Sequence, residues 1–96
     1  MNKVSGPMAG NDLADFTGIP RHVSAEGCQF VALGARPVVG QVLLVLLDST
    51  LPVAGRVRWV VEDRFALVFD APLARSVRKT LENHGRVLGA VKLVRG

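Results

Sequence analysis

Between Val53 and Val61 the chain alternates. Val53, Gly55, Val57, Trp59 and Val61 share one parity, while Arg56 and Arg58 share the other. A period of two with charge confined to one side predicts a β-strand, one face in a core and one toward water or a ligand. That parity assigns Trp59 to the core face with Val57 and Val61. Glu62-Asp63 reads as a tight turn. Beyond it Phe65, Leu67 and Phe69 alternate with Ala66, Val68 and Asp70, which predicts the second arm of a hairpin.

Other segments follow more loosely. Residues 1–18 are rich in Gly, Asn, Asp and Ser without a period, and read as a flexible N-terminal arm. From Ile19 the chain turns β, and 19–96 reads as a single domain. Gln29 to Leu33 predicts a short strand, broken by Gly34-Ala35-Arg36-Pro37 because proline cannot donate to a central ladder. Gln41 to Leu47 is nearly continuous in apolar residues and predicts a strand covered on both faces. Asp48 to Pro52 has turn chemistry. Asp70-Ala71-Pro72 offers a helix start, and Leu73, Val77 and Leu81 recur every four residues on one face. This predicts an amphipathic helix ending near His84-Gly85, with the glycine as left-handed C-cap. Val87 to Val94 predicts a last strand. Several short strands followed by one helix suit a mainly β fold, a small open barrel with a helix over one end.

Composition sharpens the picture. Ninety-six residues make one domain, and 49% are hydrophobic, yet only 5% are aromatic. Val, Leu and Ala must therefore build most of the core. The single Cys28 has no partner for an internal disulfide and no metal-ligand cluster around it, which favours a reducing compartment. The start of the chain lacks an apolar leader, and Val42 to Leu47 is far too short to span a bilayer. A cytoplasmic location is expected by elimination. The net charge of +4 is unevenly placed: from Arg75 onward come Arg75, Arg78, Lys79, Arg86, Lys92 and Arg95 against Glu82 alone. Such a quarter is a candidate surface for an acidic partner or a phosphate ligand, although a solvated helix face explains it as well.

Two stretches together resemble the PilZ domain family. His22-Val23-Ser24-Ala25-Glu26-Gly27, running into Cys28-Gln29-Phe30, is similar to that family's D/N-x-S-x-x-G signature and the strand after it. Val53-Ala54-Gly55-Arg56-Val57-Arg58-Trp59, followed by Ala66 to Phe69 and Asp70-Ala71-Pro72-Leu73, is similar to its G-x-V-x-W hairpin and C-terminal helix. The likeness runs over roughly residues 19–83. It implies a six-stranded antiparallel β-barrel with one C-terminal helix and a link to cyclic di-GMP. In ligand-binding members an R-x-x-x-R stretch ahead of the barrel clamps the dinucleotide, and the serine–glycine turn holds its other side. This chain keeps Ser24 and Gly27 but has His22 at the first position, and residues 1–20 contain Lys3 and no Arg. Losing one charge-assisted contact costs about 1.5–3 kcal/mol, so the usual binding mode is expected to be weak or lost.

The candidate ligand residues are therefore Ser24, Gly27 and His22, with Arg21, Arg56 and Arg58 as substitute arginines. Each has a plainer reading. Alternate arginines solvate an exposed strand face, and Trp59 by parity is core rather than a stacking platform. His22 and Ser24 lack an orienting acid and an oxyanion feature, so they do not read as a hydrolase dyad. Cys28 reads as a small buried hydrophobe, and His84 as the helix's last turn. The expectation is a non-enzymatic signalling adaptor with a protein partner and no cofactor, cyclic di-GMP being the one small-molecule ligand in view. The alternatives are a true cyclic di-GMP receptor using the substitute arginines and, less favoured, a nucleic-acid-binding barrel. The latter lacks an aromatic set on an exposed strand face.

Overall fold

The computed structural model describes residues 15–48 and 50–96. In chain order the elements are β1 (Phe16–Arg21), β2 (Gly27–Ala32), β3 (Val42–Leu46), β4 (Val53–Val61), β5 (Arg64–Phe69), α1 (Arg75–Arg86) and β6 (Val91–Arg95). Six antiparallel strands close in the ring β1-β2-β5-β4-β3-β6, a barrel without a free sheet edge between neighbours. The six-stranded barrel with its single helix is the expected architecture.

The interior follows from strand alternation. Phe30 of β2 and Phe65 of β5 are cross-strand partners, fully buried, and their rings stack at 5.2 Å between centroids. Leu43, Val45, Val57, Leu67, Phe69, Val91 and Leu93 fill the space around them. Burying each such side chain contributes about 1.5–3 kcal/mol. The helix lays Leu81 fully into this core with Val77 one turn before it, and Leu73, in the segment ahead of the helix, packs on the core as well.

Several expectations are corrected by the coordinates. β1 starts at Phe16, inside the stretch read as an arm; residues 1–14 of that arm lie outside the described residues. Gly18 and Pro20 disguise the strand, yet Phe16, Gly18 and Pro20 form its inward row. Pro20 is tolerated because β6 begins at Val91, opposite Gly18, so no β6 carbonyl awaits its missing N–H. β3 is not covered on both faces: Leu43 and Val45 are buried, whereas Leu46 is exposed. The helix begins at Arg75, not near Pro72, and its N-cap Ala74 supplies no side-chain bond. Its C-terminal left-handed residue is Leu88, at φ 55, and Gly85 stays helical.

The largest correction concerns β4. Val57 pairs with Leu67 and Trp59 with Ala66, so Arg58 is an extra residue, a β-bulge. One inserted residue exchanges inside for outside. Val60 consequently packs against the core, Val61 is exposed, and Trp59 stands half-buried on the outer wall instead of in the core.

Candidate functional site

The site begins at the turn from β1 to β2. Ser24 closes it almost by itself. Its backbone N–H and its hydroxyl both donate to the Gly27 carbonyl, at 2.9 and 3.1 Å. Its Oγ in turn accepts the N–H groups of Glu26 at 3.3 Å and Gly27 at 3.1 Å. The hydroxyl is thus engaged as donor and as double acceptor within the turn, a serine side chain imitating a backbone turn. His22 enters the turn at φ 49 and is exposed. The Ser24 hydroxyl hydrogen goes to Gly27 and not to His22, so the two do not form a nucleophile–base pair.

Gly27 is glycine for a packing reason. A Cβ there would stand 2.6 Å from the Leu67 carbonyl oxygen of β5, a distance no side chain tolerates. The next residue, Cys28, is buried, with Sγ 3.1 Å from the Gln29 carbonyl and 3.6 Å from that of Arg21. Burial pushes its thiol up to about 12, against the smaller lowering effect of the Arg21 carbonyl contact. It is an inert hydrophobe, as read from the sequence.

Strand register fixes which side chains share the outer wall. One row runs Gly27, Val68, Arg56, Val42 across β2, β5, β4 and β3. The next runs Arg21, Gln29, Ala66, Trp59 across β1, β2, β5 and β4. Ala66 is small and flanked by Gln29 and Trp59, which explains its burial on an outward row. Arg56 donates to the Gly40 carbonyl at 2.9 Å, so one arm of its guanidinium is committed to the loop before β3.

A family model for the PilZ domain matches residues 5–84. The chain belongs to the PilZ domain family. Comparison with curated proteins and with solved structures returns no match. PilZ domains are binding and adaptor modules in cyclic di-GMP-linked signalling.

Six candidate residues are thereby placed. Ser24, Gly27 and His22 form one turn, with Arg21 at its start. Arg56 and Arg58 lie on β4, and in a ring of six strands β1 and β4 stand three places apart, on opposite walls. Arg21 therefore does not join Arg56 and Arg58 around one ligand. Arg56, Arg58 and Asp70 line a shallow depression, whereas Arg21 and His22 line a separate groove with Glu82, Gly85 and Arg86 of the helix end. Gln29 and Arg64, which line a third cleft with Trp59, went unnoticed in the sequence. No Gly or Pro marks the bulge that turns Trp59 toward them. Among the described residues no group of His, Cys, Asp or Glu could hold a metal ion, and no helix is long and apolar enough to cross a membrane.

Proposed function

We propose that this PilZ domain is a signalling adaptor that acts by protein contact in cyclic di-GMP-linked regulation, with dinucleotide binding weak or lost. The observation that carries the reading is the self-satisfied corner. Ser24 spends its hydroxyl on Glu26 and Gly27, so a ligand must break internal bonds to use it. Two further features agree: residues 1–20 contain no arginine, and Arg21 stands on the wall opposite Arg56 and Arg58. The reading implies no catalysis and no cofactor. A cytoplasmic setting suits a partner of the intracellular dinucleotide pathway.

Calorimetric titration with cyclic di-GMP tests it. No measurable heat, or affinity no tighter than high micromolar, is expected. Submicromolar affinity with two dinucleotides per domain would refute the proposal. A Ser24→Ala variant adds a control, since it should loosen the corner by about 1 kcal/mol while leaving the titration unchanged.

A second reading, a cyclic di-GMP receptor with a rebuilt site, is favoured by one observation. The Arg58 bulge turns Trp59 to the outer side of the strand that also carries exposed Arg56 and Arg58, an aromatic and two cations on one strand. If that reading holds, Arg56→Ala with Arg58→Ala lowers dinucleotide affinity at least tenfold. Unchanged binding in the double variant removes it. A nucleic-acid role has less support, because Trp59 stands without a second aromatic on the outer wall, and a salt-dependent gel shift with RNA decides it.

A further inference from the structure

The end of the barrel formed by the β4–β5 turn carries an apolar surface that neither the corner nor its ligand uses. The loop between β2 and β3 wraps this end. The Ala32 N–H donates to the Asp63 carbonyl, and the Arg36 guanidinium reaches the Glu62 carbonyl. The loop then runs back beside β4 until Gly40 donates to the Val57 carbonyl and Val57 donates to that of Gln41, at 2.8 and 2.9 Å. β3 begins at Val42, opposite Arg56, so from Arg58 to Val61 that side of β4 faces only the loop.

Four aliphatic side chains crowd this end while remaining in solvent. Leu33 is 50% exposed, Val38 67%, Val39 64% and Val61 59%. Half-buried Trp59 adjoins Val61 in a cleft with Gln29, Glu62, Asp63 and Arg64. Single exposed aliphatics need no explanation, but a cluster rimmed by charge marks an interaction surface.

The charges indicate what covers it. Glu62 and Asp63 sit at the tip, Arg58 and Arg64 flank them, and among the described residues none of the four is in an ion pair. An apolar centre bordered by unpaired charges of both signs is complementary to itself under a two-fold rotation, because acids of one copy meet arginines of the other. The C-terminal quarter is strongly basic, with six Lys or Arg from Arg75 onward against Glu82. Self-repulsion therefore disfavours contact through that quarter, whereas at this end two acids and two arginines balance.

We infer that the β4–β5 turn with the β2–β3 loop is a self-association surface, and that its occupant is a second copy of this chain in an isologous dimer. The inference is independent of whether the corner binds a dinucleotide.

The full chain, without added nucleotide, supplies the test. Sedimentation equilibrium across the micromolar range should show a monomer–dimer transition. Trp59 is the only tryptophan and there is no tyrosine, so its emission should shift to the blue over the same range. Val39→Glu with Val61→Glu, both at exposed positions, should weaken the dimer at least tenfold while leaving the thermal midpoint nearly unchanged. A charge exchange makes the test specific. Glu62→Arg with Asp63→Arg gives an all-basic end, and Arg58→Glu with Arg64→Glu an all-acidic one. Each variant alone should be monomeric, and their mixture should form a heterodimer. A wild-type monomer at every concentration overturns the inference. So does a dimer that survives both the glutamate substitutions and the charge variants, since another face would then be responsible.

Discussion

Gly85 of the helix rests against the Pro20 carbonyl of β1 so closely that no Cβ fits between them. This contact sets how deeply α1 seats on the barrel, and with it the burial of Leu81. It also brings the helix end against the His22 turn, where Arg21, His22 and Arg86 line one groove.

Gly85→Ala should therefore lift the helix, even though alanine is the better helix former. The expected loss is about 1–3 kcal/mol, the range for forcing a methyl into a packed contact. Gly34→Ala is the comparison: it stands at φ 98 in open space, so only backbone strain opposes it, at about 1 kcal/mol. Urea unfolding should rank Gly85→Ala as the more damaging. The reverse order would mean that the helix seat is soft.

The same end of the helix carries strain that can be relieved. Leu88 donates to the Gly85 carbonyl and Gly89 to that of His84, at 3.2 and 2.7 Å, the pair of bonds that ends a helix through a left-handed residue. That residue is a leucine at φ 55, with an exposed side chain. Leu88→Gly should stabilise the domain by about 1 kcal/mol, because glycine adopts this conformation without a steric penalty. A lowered thermal midpoint would contradict this account of the C-cap.

How far the fold could be read from the chain depends on whether each signal was local. Phe65, Leu67 and Phe69 alternate without interruption and are all buried. The bounds of β4 and the Val77, Leu81 face of the helix were equally legible, since each follows from spacing alone. β1 was not, because Gly18 and Pro20 are poor strand formers that tertiary packing selects: one lies against Phe30, and the other fills the core. The Ser24–Gly27 turn was visible as a motif. What its atoms do was not, for the hydroxyl's three internal bonds depend on how the turn closes.

Cys28 gives a pH dependence with a definite sign. Its thiol is raised by burial from 9.0 to about 12, so the unfolded chain ionises first as pH rises. The folded state then binds more protons than the unfolded one, and stability falls with pH. The stabilising contribution is complete below pH 9 and is lost between there and about 12. The slope in that window should approach about 1.4 kcal/mol per pH unit. Cys28→Ala, measured in parallel by denaturant unfolding, should lack this component. Identical slopes would show that the thiol ionises alike in both states.

The bulge at Arg58 makes the sharpest claim about side-chain direction, and truncation on either side of it provides the check. If Trp59 were core, as plain alternation implies, removing its indole would cost about 3–5 kcal/mol, as for any large buried aromatic. Placed outward beside Ala66 it loses only partial burial, so Trp59→Ala should cost much less than Phe65→Ala, whose ring is fully buried against Phe30. Val60 should behave in the opposite sense: it packs on the core although parity with Arg58 would send it to solvent, and Val60→Ala should cost about 1 kcal/mol or more. Both results are needed, because a small Trp59 effect alone could reflect a core that collapses around the gap. A Trp59→Ala variant as unstable as Phe65→Ala, together with a neutral Val60→Ala, would restore the unbroken alternation. The cleft shared by Gln29, Trp59 and Arg64 would then no longer exist.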